Sequence, residues 1–142
     1  MKFLVFSAFM LYSLMGGCQN QSGSTSKSEE STTNLPAKSA SVINISPAEF
    51  IALQKDGAIV IDVRTPEEVA SGYIDGASVF ADVYGSDFNE KIGSLDKNKT
   101  YLVYCRSGRR SLGAAQTMVD NGFQNVYNLT PGILGWTGTI KQ

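Results

Sequence analysis

Short apolar segments alternate with polar, turn-rich segments from residue 42 to the end of the chain. The apolar segments are rich in β-branched and aromatic residues and have the length of buried strands. They occupy residues 42–45, 58–63, 78–80, 100–104 and 126–129. Helix-start signals lie between them, so the pattern predicts an α/β domain over residues 42–142, with a parallel β-sheet flanked by helices on both faces.

Two of the predicted helices begin with a capping box. Ser46 and Thr65 are each followed by a proline and, three residues on, by a glutamate, which is the pattern of a capped first turn. The first helix is predicted to run toward Lys55 and the second to stop at Gly72. The remaining predictions are helices over 88–92 and 111–121, a last helical turn over 131–136 and a turn over 73–77.

The first 17 residues follow a different pattern. Lys2 precedes an apolar run that ends in Gly16 and Gly17, directly before Cys18. This arrangement predicts a secretory signal peptide over residues 1–17, and the run is too short to favour a membrane-spanning helix. The small residues before Cys18 resemble the lipobox of bacterial lipoproteins, although Met15 stands where leucine is commoner. We therefore expect Cys18 to be lipidated; a plain signal peptide with an unmodified cysteine is the alternative.

Residues 18–41 carry almost no large apolar side chain. Such a segment cannot bury enough surface to offset the entropy lost on ordering, so it predicts a flexible polar tether behind the lipidated Cys18. An anchor followed by a tether implies a protein of the bacterial cell envelope, attached to a membrane and lying outside the cytoplasm, in the periplasm.

The amino-acid composition limits the partners, catalytic mechanisms and metal sites that the chain can have. The 12 basic and 13 acidic residues nearly balance, so no nucleic-acid partner is expected. The chain has no histidine, which excludes Cys-His and Ser-His-Asp catalysis and every histidine-containing metal site. Its two cysteines, Cys18 and Cys105, are too few for a four-ligand zinc site. No metal and no organic cofactor is expected.

The candidate chemistry lies at the end of the 100–104 strand. Cys105 follows that strand directly and is itself followed by Arg106, Ser107, Gly108, Arg109, Arg110 and Ser111, before a helix. Unpaired N–H groups and the dipole at a helix N-terminus bind anions, and nearby guanidiniums favour a thiolate. Ser111 is predicted to cap the helix. We expect a cysteine nucleophile that handles a small anion; the alternative is a buried, inert cysteine beside a solvated arginine patch.

Four motifs together resemble the rhodanese domain, in that family's order. They are Asp62-Val-Arg64; Glu67-Glu68 with Gly72-Tyr73-Ile-Asp-Gly76-Ala77; Cys105-Arg-Ser-Gly-Arg-Arg110-Ser111; and Asn128-Leu with Gly132-Ile and Trp136. The resemblance implies a rhodanese-like α/β fold and a sulfurtransferase that works through a persulfide on Cys105. Tyr73 stands where the family usually has histidine, and Pro131 replaces the first glycine of a Gly-Gly pair.

The resemblance also suggests roles for individual residues. Arg110 would close the active-site loop, while Arg106 and Arg109 would meet the sulfonate of the donor or a partner protein. Asp62 and Arg64 would provide polar support for the site, or form only a salt bridge beside a helix. The implied donor is thiosulfate or a similar anion, and the implied acceptor is a thiol, cyanide or a thioredoxin-like protein. A monomer is expected.

Three other functions remain open. A phosphatase or arsenate reductase of the related fold has a loop one residue longer, Cys-x5-Arg, whereas Cys105 to Arg110 is Cys-x4-Arg. A carrier that holds persulfide without turnover would use the same loop. A Cys18–Cys105 disulfide would be redox chemistry without a Cys-x-x-Cys motif.

Overall fold

The computed structural model describes residues 41–142. The predicted signal peptide, Cys18 and most of the predicted tether lie outside the described residues. Seven strands are present in the described part: β1 Ile43–Ile45, β2 Ile59–Asp62, β3 Tyr73–Ile74, β4 Ala77–Phe80, β5 Thr100–Tyr104, β6 Asn125–Leu129 and β7 Ile140–Lys141. The helices there are α1 Pro47–Lys55, α2 Pro66–Ala70, α3 Phe88–Gly93, α4 Arg109–Asp120 and a final 3₁₀ helix, Gly132–Gly135.

The central sheet has five strands in the order β1-β6-β5-β2-β4, and every neighbouring pair is parallel. The parallel sheet expected from the apolar segments is therefore confirmed. Strand β5 lies in the middle, between β2 and β6, which brings the carboxyl ends of three strands together. Ligands bind beyond those ends in sheets of this kind.

Successive side chains of the strands face opposite sides of the sheet and feed two separate apolar layers. Ile61 and Val103 belong to one layer, which is covered by α3 and α4. Val60 and Leu102 belong to the other, which is covered by α1 and the 3₁₀ helix. The expectation of helices on both faces is confirmed.

Both predicted capping boxes are present. The Ser46 hydroxyl accepts from the Glu49 amide while the Glu49 carboxylate accepts from the Ser46 amide, and Thr65 and Glu68 make the same pair of bonds. Each box pairs two N–H groups that the first turn of a helix leaves without a partner. Helices α1 and α2 therefore begin where the sequence places them.

The start of α4 differs from the prediction. The helix begins at Arg109, two residues earlier than expected, and Gly108 is its N-cap with a φ of 89°. Ser111 does not cap it: the residue lies inside the first turn, and its hydroxyl bonds to side chains below the helix. A left-handed glycine can start the helix without a side-chain cap, so the serine is available for another role.

The turn predicted over 73–77 is also partly wrong. Tyr73–Ile74 forms β3, which pairs antiparallel with β7 in a second, two-stranded sheet. Strands of two residues are too short to show a hydrophobic period, so neither was foreseen. Within residues 41–142, no helix has both the length and the apolar character needed to cross a bilayer.

Candidate active site

Cys105 directly follows β5 and is a free, fully buried thiol with 0% of its surface exposed. The four residues 105–108 form the loop between β5 and α4. The side chain lies in the apolar layer beneath α4, together with Val63 and Ala81. The predicted nucleophile therefore sits at the carboxyl edge of the central strand, at the N-terminal end of the longest helix in the described part.

The 3₁₀ helix fixes the direction of the loop's peptide groups. The Ile133 and Leu134 amides donate to the carbonyls of Cys105 and Arg106 at 2.9 and 3.1 Å. With these carbonyls held on the side of the 3₁₀ helix, amides of the loop and of the first helical turn face the sulfur. Gly132 permits the approach, because a Cβ there would lie 2.6 Å from the Arg106 carbonyl oxygen.

The Cys105 sulfur is surrounded by hydrogen-bond donors. The Gly108 amide is 3.2 Å from Sγ and the Ser111 hydroxyl oxygen is 3.4 Å from it. Burial raises the pKa of the thiol, but the Ser111 hydroxyl and the amides of Ser111, Ser107 and Gly108 together bring that pKa below its ordinary value. Hydrogen bonds to the charged form of a group favour that form.

Arg110 does not point freely into the loop. Its two Nη atoms donate to the two carboxylate oxygens of Glu68, both at 2.7 Å, in a bidentate pair. The guanidinium lowers the pKa of Glu68 to about 2, chiefly through these hydrogen bonds. The Tyr84 ring lies 5.9 Å from the guanidinium carbon. Arg110 thus joins the first turn of α4 to α2.

Asp62 and Arg64 form a buried ion pair, 2.6 Å at its shortest, with exposed fractions of 0% and 6%. The Tyr104 hydroxyl donates to Asp62 at 2.5 Å and accepts from the Ile74 amide at 3.1 Å. Tyr104 belongs to the layer under α1, so the pair faces the side of the sheet away from the Cys105 sulfur. It supports the backbone around the site.

Arg64 provides the connection from this ion pair toward the loop. Its Nη1 donates to the Glu68 carbonyl at 3.2 Å and its Nη2 to the Gly72 carbonyl at 2.9 Å. Glu68 in turn holds Arg110. The predicted supporting pair therefore reaches the loop indirectly, through α2, and makes no hydrogen bond with the sulfur.

The remaining loop side chains face solvent. Arg106, Ser107 and Arg109 are exposed, and neither Arg106 nor Arg109 takes part in an ion pair with another residue of the described part. Leu134, whose amide donates to the Arg106 carbonyl, is also exposed. Two exposed arginines without an acidic partner among residues 41–142 therefore lie close in sequence to the buried thiol.

Sequence reasoning missed the partners of Ser111. The hydroxyl donates to Asn128 Oδ1 at 2.6 Å, and Asn128 Nδ2 donates to Asn44 Oδ1 at 2.8 Å. Asn44 and Asn128 are register partners on the adjacent strands β1 and β6. The available signal was Asn128, which lies between apolar residues of a strand and is 2% exposed, because a buried amide needs hydrogen-bond partners.

The centre of the candidate site is the Cys105 thiol. No three histidine, cysteine, aspartate or glutamate side chains come together as a metal site in the part of the chain that the structure describes. The parallel sheet, the buried thiol at its carboxyl edge and the N–H and O–H donors near the sulfur define an α/β domain with a candidate cysteine site. Comparison with known proteins then gives the family.

The model of the rhodanese-like domain matches residues 46–139. A thiosulfate sulfurtransferase from Pseudomonas entomophila, GlpE, is 38% identical over 95 residues, which are 67% of this chain and 84% of that protein. A putative sulfurtransferase from Bacillus subtilis, YtwF, is 40% identical over 82 residues, 58% of this chain and 76% of that protein. This chain belongs to the rhodanese-like family, and these relatives support sulfurtransferase activity in general.

A solved structure agrees with the fold. The rhodanese-related protein from Thermoplasma volcanium superposes with a TM-score of 0.61 and 27% sequence identity. The match covers 70% of this chain and 97% of that one. The rhodanese-like fold expected from the four motifs is confirmed.

Proposed function

We propose that this protein transfers sulfane sulfur from thiosulfate, or a related anion, through a persulfide on Cys105. The observation that carries the proposal is the ring of donors around the buried sulfur, the Gly108 amide and the Ser111 hydroxyl. Donors held in place before reaction stabilise negative charge as it develops. A buried sulfur with such donors suits an anionic persulfide better than a neutral side chain.

The proposed reaction has two steps. The Cys105 thiolate attacks the outer sulfur of thiosulfate, the sulfur–sulfur bond of the donor breaks, and sulfite leaves with the electron pair. The terminal sulfur of the resulting persulfide carries the negative charge. A nucleophile such as a thiol, cyanide or a thioredoxin-like protein then takes that sulfur and restores the thiolate, which gives ping-pong kinetics. No cofactor takes part in either step.

The exposed arginines supply the natural contact for the donor. The sulfonate end of a thiosulfate ion is anionic, and guanidinium groups bind such oxyanions with strong, directional hydrogen bonds. Arg106 and Arg109 are exposed, follow Cys105 closely in the chain and have no acidic partner in the described part. We propose that they hold the sulfonate while Cys105 attacks the other end of the ion.

The state of Arg110 argues against a phosphatase. Both Nη atoms of Arg110 are bound to Glu68, so that edge of the guanidinium is not available to an oxyanion of phosphate size. The loop is also one residue shorter than Cys-x5-Arg. Both observations favour a single sulfur atom as the cargo.

The intact mass of the purified protein tests the persulfide. After thiosulfate and removal of excess donor, we expect a mass gain of one sulfur atom, lost on addition of cyanide or dithiol. Cys105→Ala should show neither the gain nor turnover. Hydrolysis of a phosphate ester without sulfur transfer would contradict the proposal, and stoichiometric persulfide without turnover would assign the carrier role instead.

We also propose that the mature protein is a monomer anchored to a membrane of the bacterial cell envelope through lipidated Cys18, with its catalytic domain in the periplasm. The support is the sequence, in which an apolar run and two glycines precede Cys18 and a polar segment follows. Labelled fatty acid should be incorporated into the protein and not into Cys18→Ala. Equal release of both into the soluble fraction would refute the anchor.

A further inference from the structure

A line of buried polar side chains leads from the Cys105 sulfur into the sheet. Ser111, with 0% of its surface exposed, contacts both the sulfur and Asn128, which is 2% exposed. Within the described residues, Asn128 Oδ1 accepts only from Ser111. The amide nitrogen of Asn128 donates to Asn44 Oδ1 at 2.8 Å, to the Gly108 carbonyl at 3.3 Å and to Thr130 Oγ1 at 3.5 Å. These three acceptors set the orientation of the amide, so its oxygen faces Ser111.

The Ser111 hydroxyl has two acceptors but one proton. Its oxygen is 2.6 Å from Asn128 Oδ1 and 3.4 Å from Cys105 Sγ. It cannot make a full hydrogen bond to both atoms at once. Which acceptor receives the proton therefore depends on whether the sulfur is a neutral thiol or an anion.

A neutral thiol and an anionic sulfur form different hydrogen bonds with the Ser111 hydroxyl. The S–H group of a thiol can donate to the Ser111 oxygen while the hydroxyl donates to Asn128, and successive bonds in such a chain strengthen each other. An anionic sulfur has no proton and can only accept. The hydroxyl must then turn toward the sulfur and give up its bond to Asn128.

We propose that the Ser111 hydroxyl is a two-position switch, donating to Asn128 while Cys105 is a neutral thiol and to the sulfur once it is anionic. Asn128 is then a positioning residue that competes with the sulfur for one proton. It favours the neutral free thiol, which is the less reactive form toward oxidants and alkylating agents. Where the proposed function holds, the more acidic persulfide draws the hydroxyl to itself, and the loaded site differs from the empty one.

A double-mutant cycle on the free thiol tests the switch and needs no sulfur donor, so its result is separate from that of the mass experiment. The four proteins are the natural chain, Ser111→Ala, Asn128→Leu and the double variant. The pH dependence of Cys105 alkylation by iodoacetamide reports the pKa of the thiol. Tryptic cleavage after Lys99 and Arg106 yields peptide 100–106, so mass spectrometry of the full chain separates Cys105 from Cys18.

We expect Ser111→Ala to raise the pKa of Cys105 in both backgrounds, because the thiolate loses a donor. The rise in the pKa should be about one unit larger in the Asn128→Leu background than in the natural background. This difference corresponds to the free energy of one net hydrogen bond. The reason is that the leucine no longer competes for the proton. Any loss of support at the Gly108 carbonyl occurs in both backgrounds and cancels from this difference.

Other charges around the loop also cancel, since all four proteins keep them. They are Arg106, Arg109, the Arg110–Glu68 pair, the Asp62–Arg64 pair, Tyr84 and Tyr104. Thr117→Val is a matched control: it removes a hydroxyl from the same helix, where Thr117 donates only to the Gly113 carbonyl. It should leave the alkylation profile unchanged and show no coupling with Asn128→Leu.

Two outcomes would overturn the switch. An equal effect of Ser111→Ala in both backgrounds means that the two residues act independently. A smaller effect beside Asn128→Leu means that the asparagine directs the hydroxyl toward the sulfur instead of competing for it. Asn128→Ala runs the same cycle if the leucine cannot be accommodated, and circular dichroism verifies that each variant is folded.

Discussion

The bidentate pair between Glu68 and Arg110 makes a quantitative prediction about pH. Taken at face value, the fall in the pKa of Glu68 from 4.5 to about 2 corresponds to about 3 kcal/mol of stability at neutral pH. The side chains are 29% and 21% exposed, and solvent screening reduces the contribution to about 1–2 kcal/mol. Glu68→Gln should lower the free energy of unfolding by that amount at pH 7.

The direction of the pH dependence follows from the lowered pKa. Glu68 is more acidic in the folded than in the unfolded protein, so its contribution is complete above about pH 4.5. It decreases as the pH falls toward 2 and the carboxylate takes up a proton in the folded state. The stability difference between the natural protein and Glu68→Gln should therefore shrink steadily over this range.

Urea unfolding at several pH values between 7 and 2.5 measures the difference directly. Glutamine can still accept from the Thr65 amide, so the capping box of α2 is retained. The variant loses the negative charge and one of the two acceptors that bind Arg110. Asp87→Asn is the control, because the Asp87–Lys91 pair is about half exposed on both sides and should contribute little. A difference for Glu68→Gln that is as large at pH 3 as at pH 7 would refute the reasoning.

Two further predictions concern the two sides of the site. Tyr104→Phe removes the hydroxyl that donates to Asp62 and accepts from the Ile74 amide. The variant should lower the free energy of unfolding in urea by about 1–3 kcal/mol and leave the pH dependence of Cys105 alkylation unchanged. A shifted alkylation profile would contradict the separation of the two faces of the sheet. Arg106→Gln together with Arg109→Gln should raise KM for thiosulfate about tenfold or more, with a smaller change in kcat. Thiocyanate formation at low and high salt measures both constants. An unchanged KM would mean that neither arginine binds the donor.

Much of the fold could be predicted because its signals are local. Buried parallel strands such as Thr100–Tyr104 are continuous apolar runs, and the boxes at Ser46 and Thr65 mark helix starts through residues three apart. Strands β3 and β7 have two residues each, too few for a period. Gly108 begins α4 through its backbone alone, so no capping side chain marked the start and Ser111 was assigned that role.

The place of Cys105 at the end of a strand could be predicted, whereas most contacts of the residues around it could not. The position of Cys105 follows from where an apolar strand ends, which is again local. Arg110 and Glu68 are 42 positions apart, and Ser111 and Asn128 are 17 apart. Spacing within one segment carries no information about such pairs, because they are created by the packing of α4 against α2 and β6. The same separation hid the fact that Asp62 and Cys105 face opposite sides of the sheet.

The 3₁₀ helix binds the Cys105 and Arg106 carbonyls, so the main chain of the loop is held separately from its exposed side chains. The loop presents main-chain amides to the sulfur, and the amides of residues 133 and 134 hold this main chain from the opposite side. The exposed side chains at 106, 107 and 109 are not needed to keep that main chain in place. They form a set of positions that can be exchanged to suit a different donor or acceptor while the sulfur cradle stays the same. Redesign of specificity in this protein should therefore begin with these three side chains and leave Gly108 and Gly132 untouched.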